Sequence, residues 1–282
     1  MKSETSPHIS TNILEEHTLL KKQDYYIHGG VELNNILFVC LDSVRYDTFI
    51  NADTPNMKMI GNVLNVHSFA CWTIPSIIGY LLGWPPIGIG KNESTPEERK
   101  RFNLFPDHER LEWAPRWYKE KGYITAFLSG NACIQKLDMQ LSGAISKWFN
   151  YFTLFEHVYE VAPQLNEIVN DNSGKPFFIC ILLLETHRPY DYGNGKKEID
   201  FVNPEINLDN QKKAIEYIDS FFQKFIEILK KTHRTTTVII TSDHGDLVGP
   251  VYWSHDPSTS FLKFDEKLFQ IPFIKGEVVA DL

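Results

Sequence analysis

Asp243 and His244 stand side by side in Thr237-Val-Ile-Ile-Thr-Ser-Asp-His-Gly-Asp246. A carboxylate and an imidazole projecting from one point are natural ligands for a divalent metal. The β-branched run before them reads as a buried strand over 235–241, and open α/β sheets bind ligands at the carboxyl ends of such strands. Asp-His pairs are common, so partners must come from elsewhere in the chain. Other apolar runs end in the same polar way. Asp42 closes Asn35–Leu41, where a carboxylate suits either a site or a helix N-cap. Glu185 and His187 follow the run Lys175–Leu184. Thr73 precedes Pro75 at the start of a helix expected over 75–82 and stopped by Gly83. A hydroxyl there either caps the helix or faces an anion drawn by the helix N-terminus. His255 lies in the irregular stretch Trp253-Ser-His-Asp-Pro257.

The elements that must position these residues alternate. Continuous apolar runs at 35–41, 123–129, 175–184 and 235–241 have the pattern of strands covered on both faces. Helices are expected over 109–121, 156–169 and 208–232, the last with Ile215, Ile218, Phe222, Phe225, Ile226 and Leu229 on one stripe. Leu268–Ile274 reads as a short last strand, and Pro272 argues for an edge position or a strand beginning. The alternation predicts a layered α/β/α fold with a largely parallel central sheet. Residues 1–33 read as a polar tail or packing arm with a short helix over 13–22, and 34–282 as one domain. The loops at 84–108, 130–155 and 191–207 are left to shape a pocket.

The chain has 282 residues, a net charge of -8, 43% hydrophobic and 23% charged residues. That is ample for a core, and the sign of the charge disfavours nucleic acid as a partner. Cys40 and Cys180 sit in strand-like runs as small hydrophobes, and no CxxC spacing points to a cysteine zinc site. Gly88-Ile-Gly90-Lys91 lacks the P-loop spacing. No apolar leader or membrane-length run is present, so a cytoplasmic protein without a membrane span is expected.

Taken together, Asn35–Asp47, Thr73-Ile-Pro-Ser76, His187-Arg-Pro-Tyr190, Ser242-Asp-His-Gly245 and Ser254-His255 resemble, in order, the motifs of the alkaline phosphatase superfamily, in particular its sulfatase-like branch. That branch includes phosphoethanolamine and phosphoglycerol transferases and phosphonate monoester hydrolases. The resemblance implies an enzyme in which Asp42, Asp243 and His244 hold one divalent metal with Thr73 Oγ as a further ligand. Thr73 would be the nucleophile, passing through a covalent phospho-threonine resolved by water or an acceptor alcohol. His187 and His255 would contact substrate oxygens or protonate the leaving group. Arg45 and Arg188 would be phosphate contacts if they are not structural.

Departures sharpen the expectation. Asp42-Ser43 replaces the Asp-Asp usual in sulfatases, Ile77 stands where arginine is usual, and formylglycine requires cysteine or serine where Thr73 stands. These features favour phosphoryl over sulfate transfer. The alternatives are a sulfuric ester hydrolase, or an inactive binding or scaffold member of the fold. The ligand set suits zinc or manganese better than magnesium or calcium. Glu185, His187 and His255 could furnish a second metal site, but the spacing around His187 fits the one-metal pattern better. The expected partner is a small phosphate ester. The usual C-terminal subdomain is not evident in the sequence, so a second chain or partner could complete an open site.

Overall fold

The computed structural model describes residues 34–83, 113–172, 174–200, 202–248 and 265–281. Its strands are β1 (Asn35–Leu41), β2 (Leu64–His67), β3 (Ile124–Ser129), β4 (Tyr151–Leu154), β5 (Phe177–Leu183), β6 (Tyr190–Asp191), β7 (Lys197–Glu198), β8 (Thr236–Ser242) and β9 (Gln270–Val278). Seven of them form one sheet in the order β2-β9-β8-β1-β5-β3-β4, and β6 and β7 make a separate hairpin. β1 lies between β5 and β8, parallel to both. β3 continues the parallel run to β4, and only β9 and β2 turn antiparallel.

Period-two alternation along the central strands builds a layer on each face. Leu37, Val39 and Leu41 of β1 pack with Ile215, Ile218, Phe222 and Phe225 of the long helix Pro204–Lys230. Ile36 and Cys40 point the other way, into a core with Ile77, Ile78 and Leu81 of the helix Thr73–Leu82. Cys40 and Cys180 are buried, free thiols within that second core. The layered α/β/α architecture and largely parallel sheet therefore hold.

Some elements differ from expectation. β9 is not an edge strand, because the four-residue β2 covers its outer side, and Pro272 stands instead near its beginning. Pro272 is tolerated there because it lies beyond the last residue pair with β8, Thr241 with Phe273. The long helix starts at Pro204, earlier than expected: Asn203 caps it by accepting from Glu205 N, and proline is pre-shaped for the first turn. The helix expected over 156–169 is Val161–Asp171, preceded by a short 3₁₀ turn at Val158–Glu160. The described part of the helix expected over 109–121 is Ala114–Glu120. The tail 1–33, its helix at 13–22, and the loop at 84–108 lie outside the described residues.

Candidate active site

Register brings the first two acids together. Leu41 pairs with Ser242 on β8 and with Leu183 on β5, so the three central strands end level. Asp42 and Asp243 are the next residues on their strands, and both are fully buried, as is His244. One ligand atom from each of these three lies within 4.8 Å of the others. His244 Nε2 is 3.4 Å from Asp243 Oδ2 and 3.9 Å from Asp42 Oδ1.

Thr73 joins them from the second core layer. It is the first residue of its helix, and extended Trp72 occupies the N-cap. Its hydroxyl is therefore not spent on capping. Thr73 Oγ1 lies 3.5 Å from Asp42 Oδ2 and 3.5 Å from His244 Nε2. The helix ends at Gly83, whose φ of 72° lies in the left-handed region that glycine adopts without strain. Asp42 is likewise no cap: the helix Tyr46–Ile50 begins after Arg45, without a side-chain cap.

The surrounding shell fixes each group. His244 Nδ1 faces the Gly245 carbonyl at 2.6 Å. Donation there puts the proton on Nδ1 and turns the Nε2 lone pair toward the carboxylates, the usual device behind a ligating histidine. Gly245 is required for this turn, because a Cβ on it would lie 1.8 Å from the Lys267 carbonyl oxygen. Asp243 Oδ1 accepts from the backbone N–H groups of Ser43 and His244 at 2.9 and 2.8 Å. Ser43 does not present its hydroxyl as a ligand. With a left-handed φ of 64°, it turns its N–H to Asp243 and donates its hydroxyl to Asp42 Oδ1 at 2.8 Å. Asp42 Oδ2 accepts from Asn131 Nδ2 at 2.8 Å. Thr186 Oγ1 donates to the Asp42 carbonyl, and Gln211 of the long helix donates to the carbonyl of Ser43.

Asp243 Oδ2 differs from the rest. It is a buried carboxylate oxygen that accepts no hydrogen bond among the described residues. Burial first, and then the facing charge of Asp42, push the Asp243 carboxyl well above its ordinary range. Burial is also the largest influence on Asp42 and acts upward, but the nearby imidazoles of His187 and His244 and the bonds from Asn131 and Ser43 outweigh it and hold that carboxyl low. Two buried carboxylates facing one another cannot both ionise cheaply without a positive charge between them. The donor set, the inward-facing Nε2 of His244 and the orphaned Asp243 oxygen all fit a divalent cation.

The other expected residues are distributed as follows. His187 follows β5 and lies near enough to Asp42 to help hold its carboxyl low. Arg45 forms a two-bond pair with Asp47, at 2.9 and 2.6 Å, which Lys267 also joins. Arg188 pairs with Asp246 at 2.8 Å through both Nε and Nη2. His255 lies outside the described residues. Glu185, proposed for a second metal, instead turns one oxygen to the backbone N–H of Val158. Asn131 was not expected. Its signal was present all the same, since Ser129-Gly-Asn131 is another polar tip, two residues beyond the end of β3.

Comparison with known proteins places these features in context. A family model described as Sulfatase matches residues 34–275. A curated relative from Haemophilus influenzae, described as "Putative phosphoethanolamine transferase", is 26% identical over 167 residues, covering 50% of this chain and 34% of the relative. The chain thus spans about a third of that relative's length. Among solved structures, the C-terminal periplasmic domain of EcEptC from Escherichia coli, in complex with zinc, superposes with a TM-score of 0.63 at 16% identity, covering 89% of this chain and 74% of that one. The periplasmic domain of a phosphoethanolamine transferase from Campylobacter jejuni gives a TM-score of 0.58 at 15% identity, covering 87% and 80%. The integral membrane phosphoethanolamine transferase from Neisseria meningitidis gives 0.62 at 14% identity, covering 95% and 55%.

These neighbours overturn the cytoplasmic expectation. The three named neighbours are periplasmic domains or an integral membrane protein. A polar terminus and a lack of long apolar runs are equally features of a folded domain outside the cytoplasm, so they could not support that expectation. No helix among the described residues is long and apolar enough to cross a membrane.

Proposed function

The chain belongs to the sulfatase family, and from that premise we propose that it is a metal-dependent phosphoryl-transfer enzyme with Thr73 as its nucleophile. The observation that carries the reading is the Thr73 hydroxyl, uncommitted to capping and 3.5 Å from both Asp42 Oδ2 and His244 Nε2. Asp42, Asp243, His244 and Thr73 would hold one divalent cation, with zinc or manganese the best match to these donors. When bound, that ion supplies the positive charge that acidifies a coordinated hydroxyl and offsets charge on the phosphoryl oxygens.

The chain's own residues divide the remaining work. Thr73 Oγ gives its proton to solvent water as it bonds to phosphorus, and the bond from phosphorus to the leaving oxygen breaks. His187, as imidazolium, donates a proton to that leaving oxygen, and His255 is the second histidine for this or for the non-bridging oxygens. Water or an acceptor alcohol then attacks phosphorus while His187 takes its proton, the bond to Thr73 Oγ breaks, and the Thr73 oxygen regains a proton from solvent water. Arg45 and Arg188, each already paired with a carboxylate, would reach phosphate only through their remaining N–H groups. The curated relative's description makes a phosphoethanolamine ester the first substrate to test.

The experiment is to incubate zinc- or manganese-loaded protein with para-nitrophenyl phosphate esters and a phosphoethanolamine ester, then measure turnover and intact mass after rapid acid quench. The expected result is a covalent adduct on Thr73, and loss of both adduct and turnover in Thr73→Ala. Unchanged turnover in Thr73→Ala would sink the mechanism.

A further inference from the structure

β5 and β8 are not neighbours in the sheet, because β1 lies between them. Their tips carry different parts of the site: His187 follows β5, and Asp243 and His244 follow β8. The Arg188–Asp246 pair ties the segment after β5 to the segment after β8. Both bonds measure 2.8 Å, in the parallel fork geometry that fixes direction as well as distance. The side chains are only 9% and 2% exposed, so solvent screening is slight. His187 Nδ1 in turn faces the carbonyl oxygen of Arg188. Donation to that carbonyl keeps a proton on Nδ1 in the neutral ring and the imidazolium alike and directs Nε2 away from it, so the proton that is transferred is the one on Nε2.

We infer that Asp246 positions His187 through Arg188, tying the leaving-group histidine to the loop that carries Asp243 and His244. Arg188 and Asp246 are thus positioning residues, and the inference rests on the proposed role of His187. A lysine at 188 would keep the charge but lose the fork, and an asparagine at 246 would keep the shape but lose the charge. Either change frees the Arg188 carbonyl to shift, and with it the ring. A shift of about 1 Å in a reacting group costs on the order of 10²-fold in rate.

The test uses Arg188→Lys, Asp246→Asn, His187→Ala and the two double variants with His187→Ala. Turnover of bis(para-nitrophenyl) phosphate by zinc-loaded protein is the first readout, and nitrogen–proton correlation spectra of the histidine rings are the second. The expected result is a fall in kcat on the order of 10²-fold with KM unchanged in each single variant. No further loss is expected when His187→Ala is already present, since residues acting as a unit are not additive. The His187 ring should show one tautomer in the wild type and a mixture in both variants. Additive losses, or an unchanged ring spectrum, overturn the inference, as does failure of both single variants to fold, which would make the pair merely structural. If His187→Ala alone leaves turnover intact, the role proposed for His187 fails, and the ring spectra still decide whether Asp246 positions it.

Discussion

The two ends of β1 both bury polar side chains, and they treat them in opposite ways. At the start, Asn35 is neutral and saturated. Its amide nitrogen faces Thr232 Oγ1, the Arg234 carbonyl and Thr236 Oγ1 at 3.3 to 3.4 Å, and its oxygen accepts from the N–H of Phe177 at 3.2 Å. At the finish, Asp42 meets Asp243, and one Asp243 oxygen has no hydrogen bond among the described residues. The sheet could tie its starting end together with neutral groups because nothing else was required there. At the other end it buries two facing carboxyls that cannot both ionise cheaply, a cost that folding alone would select against. Under-satisfied buried charge marks the working end, and satisfied buried polarity marks the scaffold.

Two asparagines offer the widest test of this contrast. Asn131→Ala removes a donor from Asp42 at the working end. It should weaken zinc binding by on the order of 10–100-fold, as loss of an outer-shell partner does, with little change in melting temperature. Calorimetric zinc titration and a thermal melt of the same sample check both halves. Asn35→Ala should do the reverse. It strands the N–H of Phe177 in the core and should lower stability by about 1–3 kcal/mol in denaturant titration, leaving zinc affinity unchanged. Zinc loss in Asn35→Ala, or destabilisation alone in Asn131→Ala, would break the comparison.

The smallest effect is in the pH dependence of Glu185. This carboxyl is buried beside the working end, one oxygen lacks a hydrogen bond among the described residues, and burial raises its pKa. A raised folded value means that the neutral form is favoured by folding. That contribution is whole below the ordinary carboxylate range, and is lost as pH rises through the folded value. Glu185→Gln, which cannot titrate, should therefore gain stability relative to wild type as pH climbs from the acid range toward neutrality. Melting temperatures across that range decide it; parallel curves would show that Glu185 does not titrate in this window.

Much of the fold was legible because three strands are covered on both faces. Asn35–Leu41 matches β1 at both ends, and the runs around Cys180 and Val238 match β5 and β8 within a few residues. Their polar tips were legible for the same reason: an acid or histidine directly after an apolar run has few other uses. Elements held by tertiary contacts alone were not legible. β2 has only four residues, too few for the alternation of Leu64-Asn-Val-His67 to stand out, and two of them are exposed. β9 was legible as a last strand, but its length to Val278 and its place inside the sheet depend on pairing with β2 and β8. Asn131 escaped notice because its value lies in reaching Asp42, a residue 89 positions away. Arg188 and Asp246 show the same limit, since a pair separated by 58 residues leaves no local trace.

The most direct test of the central claim is a zinc titration of extensively dialysed protein, wild type against Asp243→Asn, with folding confirmed by thermal melt. The account predicts one zinc per chain in the wild type and none in Asp243→Asn, whose metal-free fold should be at least as stable because the repulsion with Asp42 is gone. Equal zinc uptake by both, or none by the wild type, would contradict it.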